Sequence, residues 1–437
     1  MKLTSRILIG AGCFTLLLVS WVIAINSKSD AEKQIELIQQ ATELMKHGIY
    51  ISAVPLLEEA AGYNAAHTLV AETELKKAYL ALIDKRGFNR KYVSLLEKQM
   101  NRRGTGAEVF AEAANYYIKI SRLQDALGVL KTGIEKTGSD DLFEMYENNR
   151  YAYEMTRTPF DYIAAIYGGA VQVCIDGLWG IARANGTTLI PCEYERVSTF
   201  STDRAIVEKG GEIYAVDRDN NRVSVLRERA VGFGNFADNR IPLLIDGSWR
   251  RATGDFILGA AHFEQLGMYS DGYAAAKTGG KWGVIDLSNE WLVPPEYDEI
   301  IQDELGRCYA QGAVFARKGG AVYLIVRGQL TGDYFEDARP FSNEGYAAVL
   351  KNGKWGFIDA NGIVIIDFVF DDALSFGQHL AAVKWGEHWG YVSRYGRIAI
   401  EPVFLEAKSF SNGSAPVLTE RGWQFITLLE YKKGVSL

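Results

Sequence analysis

Between Lys351 and Phe370 the chain reads "KNGKWGFIDANGIVIIDFVF", a Gly-bearing turn, a short apolar stretch, a second turn and a longer apolar stretch. Trp355 and Phe357 fall on one face of an extended segment and Ile358 on the other, while "IVII" is apolar throughout. A sheet wetted on one side alternates apolar with polar, so this pattern predicts strands covered on both faces. The pattern recurs. Aligning the chain on it gives eight registers, at Trp179, Tyr214, Trp249, Trp282, Tyr323, Trp355, Trp389 and Trp423, spaced 35, 35, 33, 41, 32, 34 and 34 residues. Gly follows at Gly180, Gly283, Gly356 and Gly390. A fixed period of this size marks a repeat architecture.

Each unit predicts three strands: a small apolar one such as "GYAAVLK" or "HLAAVKW", then "WGFID", then "IVIIDFVF", joined by hairpin turns. Phe341, Phe376 and Phe410 recur just before the following unit. Trp355 is expected to fill a gap between neighbouring sheets. Gly356 is expected to leave a flat spot for a neighbour's bulky side chain. The last unit stops after "WQFITLLEY" without a third strand, whereas "TPFDYIAAIY" (158–167) has third-strand character ahead of the first unit. An entering strand that completes the final sheet removes two exposed edges. The offset therefore predicts a closed eight-bladed β-propeller, with 158–166 paired beside the strand around Trp423; an open β-array is the alternative. These units resemble the WG-repeat family over 158–437, most specifically at Trp282, Trp355 and Trp389. The resemblance implies the β-repeat fold and carries no catalytic residues.

Upstream, from Asp30 to about Met155, the apolar spacing is helical. Ala41, Leu44, Ala53, Leu57 and Ala60 recur at the same offsets as Ala114, Tyr117, Ala126, Leu130 and Gly133. Small residues facing each other let antiparallel helices approach closely. The arrangement resembles the tetratricopeptide repeat, although Ala65 and Ser139 stand where that family usually has proline. The resemblance implies a solenoid with a protein- or peptide-binding surface, capped by a helix near 140–156; a plain helical spacer is the other possibility. The chain thus divides into 1–29, a TPR-like helical domain at 30–157, and a β-domain at 158–437, an α + β multidomain protein.

The first segment carries Lys2 and Arg6 ahead of nineteen largely apolar residues, 7–25, about the length that spans a bilayer. The basic flank predicts a signal anchor with a cytoplasmic N-terminus and an extracytoplasmic bulk. Signal cleavage and secretion are the alternative. Cys174 and Cys192 are expected on the first and third strands of one sheet, too far apart for a disulfide, so they and Cys308 are expected as buried thiols.

Net charge is −7, and 158–437 carry 27 Lys/Arg against 35 Asp/Glu, a balance of −8 that disfavours nucleic-acid binding. Asp217, Asp219, Asn221 and Glu228 match positions of a calcium loop, but Arg222 stands where that loop needs Gly, and turn chemistry accounts for the acids. The five histidines show no ligand spacing. Glu336, Asp337, Asp371 and Asp372 recur with the repeat, which marks them as strand-end residues. No catalytic residue, cofactor or metal is therefore expected. Trp291 and Trp385 lie outside the register and are candidate exposed contacts. The leading expectation is a scaffold for protein partners. A cell-wall or glycan-binding module stands second, and a propeller enzyme third.

Overall fold

The computed structural model describes residues 29–225 and 229–431. The apolar run 7–25, and with it the membrane anchor and Cys13, lies outside the described residues. Among the described residues no helix is long and apolar enough to cross a membrane. The chain divides into two compact units with the break between Tyr146 and Glu147, ahead of the expected boundary at 158.

The first unit is built from helices α1 (Asp30–Lys46), α2 (Tyr50–Gly62), α3 (Thr68–Ala81), α4 (Phe88–Met100), α5 (Ala107–Lys119), α6 (Leu123–Thr137) and α7 (Asp140–Asn149). Ser29 opens α1 with a reciprocal cap: its hydroxyl accepts from the Glu32 N–H at 3.3 Å, and its own N–H donates to the Glu32 carboxylate at 2.7 Å. The small residues take the expected role, since Ala41, Ala53, Ala114 and Ala126 have no exposed surface. Gly133 shows how close the helices come. A Cβ there would lie 2.7 Å from the Leu142 side chain and 2.8 Å from Phe110. Glu72 is fully buried, and Arg102, Gln99 and Lys98 supply the countercharge and donors that make this tolerable.

The second unit is an eight-bladed β-propeller of seven four-stranded sheets and one three-stranded sheet. Blade 7 shows the plan: a two-residue inner strand Asp372–Ala373, then Leu380–Trp385, His388–Ser393 and the outer strand Ile398–Phe404, all antiparallel. The blade has four strands rather than the expected three. The inner strand is too short to leave a periodic signal, and its residues sit in the acidic stretch between units. In blade 3 the outer strand is reduced to the bridges Trp249–Phe263 and Ala252–Leu258.

The ring closes, but with different residues from those expected. Tyr153–Arg157 forms the outer strand of blade 8, in register from Tyr153 opposite Leu428 to Arg157 opposite Gln424. Residues 162–163 instead form the inner strand of blade 1. The helix expected over 140–156 accordingly ends at Asn149. "YEMTR" takes extended backbone because pairing satisfies the edge of Gly422–Leu428.

Two registers shift by one. In strand Glu212–Asp217 it is Ile213, opposite Glu208, that holds the Trp position, and Tyr214 takes the place of the Gly. Val322 and Tyr323 repeat this in blade 5. The Gly itself does a job different from the expected one. Between the pairs Trp355–Phe370 and Phe357–Ile366, Gly356 alone faces three residues, 367–369, so the outer strand bulges. A Cβ on Gly356 would meet the Ile366 carbonyl at 2.8 Å and Asp367 C at 3.0 Å. Gly390 (Ile400 O, 2.6 Å), Gly180 (Ile190 O, 2.5 Å) and Gly283 (Val293 O, 2.3 Å) repeat the contact. The Gly admits the backbone bulge of its own blade, not the side chain of the next.

Candidate functional site at the propeller axis

The repeat residues lie between blades. Trp355 packs with Ala373, Phe376 and Val383 of blade 7, Trp389 with Ala407 and Val417 of blade 8, and Trp423 with Phe160 and Ile163 of blade 1. These three are buried, while Trp179, Trp249 and Trp282 are half-buried. Lys281 and Lys354, the basic residues preceding Trp, reach Asp298 (2.6 Å) and Asp371 (2.5 Å) at the start of the following blade. Those acids also accept from turn N–H groups, Asp298 from Gly319 at 2.9 Å and Asp371 from Gly386 at 2.7 Å; the lysine bonds first, and these second, hold their carboxyls below the usual range. Glu336 likewise accepts from the N–H groups of Asn352 and Gly353. Asp337 and Asp372 instead accept from Arg317 (2.8 Å) and Arg339 (3.3 Å). These carboxylates bind turns and neighbouring blades, which is structural work.

The calcium-like stretch is a turn. One Asp217 oxygen accepts from the Asp219 N–H (2.9 Å) and the Asn221 N–H (2.8 Å), and Glu228 lies outside the described residues. Among the described residues no cluster of His, Cys, Asp or Glu could hold a metal ion. Cys174, Cys192 and Cys308 are free thiols; Cys192 is half-buried, and burial pushes Cys308 up to about 12. Trp291 is half-buried, edge-on to Phe263 and packed over Gly283. Trp385 is 52% exposed.

What the sequence pattern did not expose is the axis. The residue after each inner strand donates its N–H to the next strand in every blade. It is small in blades 1 to 4 (Ala164, Ser198, Gly234, Gly267) and larger in blades 5 to 8 (Ile301, Arg339, Leu374, Lys408). Blade 5 fills the difference. Twelve residues, 301–312, separate its inner strand from the next, against six, 374–379, in blade 7. These six extra residues, with the one-residue shift at Tyr323, account for the long spacing of 41. The extra length folds into a turn in which Asp303 accepts from the N–H groups of Leu305 and Arg307 and pairs with the Arg307 guanidinium. The turn lies across the small half of the axis. Gly306 O accepts from the Met268 N–H at 3.0 Å, Asn235 donates to Leu305 O at 2.9 Å, and a Cβ on Gly267 would collide with Gln302.

This plug separates two cavities. The larger, about 460 Å³, is ringed by the turns after the inner strands, with Asn343, Gln378 and Asn412 at its rim. The smaller, about 380 Å³, is lined by Tyr162, Trp179, Arg196, Phe233 and Asn235. Glu304 of the plug borders both. Its carboxylate meets Lys408 Nζ at 2.7 Å, which also meets Glu406 at 2.9 Å. Burial works against the Lys408 charge, but Glu304 and Glu406 more than offset it, and its pKa stands above the usual lysine range. The cations around the larger cavity are thus engaged by acids: Arg307 by Asp303, Arg339 by Asp372, Lys408 by Glu304.

Among curated protein sequences nothing matches the chain. Among solved structures it is similar to a eukaryotic initiation factor (10% identity, 64% of this chain and 87% of that one, TM-score 0.41). It is also similar to the Cps50 (Swd1) β-propeller domain of Myceliophteria thermophila (10%, 64% and 100%, 0.34) and to YCF48 from Cyanidioschyzon merolae (11%, 63% and 98%, 0.31). The profile of the "WG containing repeat" family matches residues 179–212, 253–282, 282–304, 334–355, 355–384 and 389–423, and a match such as 389–423 runs from the Trp strand of blade 7 to the Trp of blade 8. With these repeats running from 179 to 423, the chain belongs to the WG-repeat family.

Proposed function

We propose that this protein is a non-catalytic scaffold that binds protein partners through its propeller and its helical unit, held at the outer side of a cell membrane by residues 7–25. The observation that carries the reading is the apolar rim of blades 5 to 7. Tyr334 is 66% exposed, Ile363 61% and Val403 57%, with Val369 and Leu405 beside them on the outer edges. Ile257 and Val231 of blade 3 are as exposed, but such side chains are most numerous on blades 5 to 7, and a sector of this kind suits a protein contact better than a soluble substrate. The ionisable groups at the axis are satisfied by each other, which leaves no acid–base pair poised for chemistry. A glycan contact is favoured by one residue, Trp385, whose exposed indole stands edge-on to Phe370 at 5.9 Å.

A photo-crosslinking amino acid at Val403, compared with one at Glu401 in the same strand, tests the scaffold reading in living cells. One discrete protein adduct is expected at Val403, absent at Glu401 and lost with Tyr334→Asp. Retention of the released protein on cell-wall polysaccharide, with no adduct, would favour the glycan module. Protease added outside the membrane should digest 30–437, and full-length protein in the medium would refute the anchor.

A further inference from the structure

In blades 6 and 8 the repeat Trp carries a cation from its own blade. The Arg339 guanidinium lies 4.6 Å from the Trp355 ring centroid, and Lys408 Nζ lies 5.8 Å from that of Trp423. Both cations occupy the position after the inner strand, with N–H bonds to Ala348 O (2.8 Å) and Pro416 O (3.0 Å). Blade 1 keeps the same backbone bond, from the 164 N–H to Gln172 O at 3.0 Å, but the residue there is Ala164. Ala164 puts no cation over the Trp179 indole. Trp179 instead borders the 380 Å³ cavity, with Tyr162 set edge-on to it at 5.9 Å. In blade 4, where position 267 is glycine, the plug's Gln302 takes up the space. In blade 1 the plug's Glu304 and Leu305 border the space beside Ala164 and leave the 380 Å³ cavity next to Trp179.

We propose that this cavity binds an arginine side chain from a partner protein, its guanidinium lying over Trp179 as Arg339 lies over Trp355. A desolvated cation is attracted to the face of an indole, and a flat guanidinium stacks where an ammonium cannot. The chain already uses this pairing beside the cavity, where Arg196 lies 4.6 Å from the Phe233 centroid. Arg196 does not repel a second cation strongly, because Glu208 holds it at 2.7 Å. Glu304 also lines the cavity; Lys408 holds its Oε2 at 2.7 Å, and its Oε1 is the oxygen offered to the incoming group. The source of the arginine rests on the scaffold reading, while the cation site itself can be tested without any partner.

The probe is Nα-acetyl-arginine methylamide, with the uncharged citrulline compound as control. Each is titrated into the full-length protein while the Trp179 indole N–H signal, assigned by Trp179→Phe, is followed by NMR. A saturable shift is expected with the arginine compound, and binding about ten-fold weaker with citrulline. Ala164→Arg should abolish the shift by placing the chain's own guanidinium over the ring, and Ala164→Ser should retain it. Should Ala164→Arg not fold, Glu304→Gln decides, with an expected weakening of about three-fold. Equal binding of citrulline, no saturable shift, or undiminished binding by both Ala164→Arg and Glu304→Gln would overturn the proposal. A partner crosslinked at Val403 in the face of such a result would leave the scaffold reading standing.

Discussion

Replacing Gly390 by alanine tests what the Gly of the WG pair does. An added Cβ would lie 2.6 Å from Ile400 O, 2.7 Å from Pro402 N and 2.8 Å from Glu401 C. Ordinary contact begins near 3.4 Å, so the outer strand must retreat by about 0.6–0.8 Å, and overpacking of this size costs about 3 kcal/mol. All three atoms are backbone, so no rotamer change relieves them, and the ring of Pro402 stiffens the bulge. Gly386 provides the control. It sits at φ +65° with nothing within 4 Å of a Cβ, so alanine there costs only the left-handed strain, about 1–2 kcal/mol. The assay is urea unfolding followed by tryptophan fluorescence. Apart from Trp21, every Trp of the chain lies in the propeller, so with Trp21→Phe the signal reports the propeller. A cost for Gly390→Ala no greater than that for Gly386→Ala would refute the account, since the bulge would then not rest on the glycine.

Trp355→Ala should cost about 3–5 kcal/mol in the same assay, as a large-to-small change between blades 6 and 7; wild-type stability would mean the indole fills no gap. Deleting Tyr153–Arg157 should expose the edge of Gly422–Leu428 and promote association, seen by light scattering, and a monomer of unchanged stability would contradict ring closure by this strand. The Lys408 pKa is raised on folding, so its ion-pair stabilisation is full below about pH 10 and is lost as pH climbs from there through the folded value. The difference in urea midpoint between wild type and Lys408→Met should therefore stay level from pH 7 to 9, and shrinkage within that window would count against it. In a background with Cys13, Cys174 and Cys192 replaced by Ser, the fully buried Cys308 should stay unreactive to a thiol reagent at pH 8 until the propeller unfolds, and prompt modification of the native protein would show that the plug opens.

The period, the propeller and the inter-blade place of Trp355, Trp389 and Trp423 were legible in the sequence. A side chain buried by the same neighbours in every repeat must recur at the same spacing, and strands covered on both faces must lose their polar alternation. The inner strand escaped notice because two residues, such as Asp372 and Ala373, carry no period. Tyr214 and Tyr323 were placed one residue late because aromatic character is a poor guide where Ile213 and Val322 fill the gap instead. The role of the Gly could not be read from composition, because it depends on a bulge in a strand ten residues downstream. Closure by 153–157, rather than 158–166, depends on which segment can reach the free edge of Gly422–Leu428, a partner more than 250 residues away in sequence. The axis was decided by tertiary structure alone. Ala164, Ser198, Gly234 and Gly267 are unremarkable small residues in the chain, and only closing the ring brings them around one space. That space is then partly filled by the loop from blade 5, and what it leaves open is the cavity at Trp179.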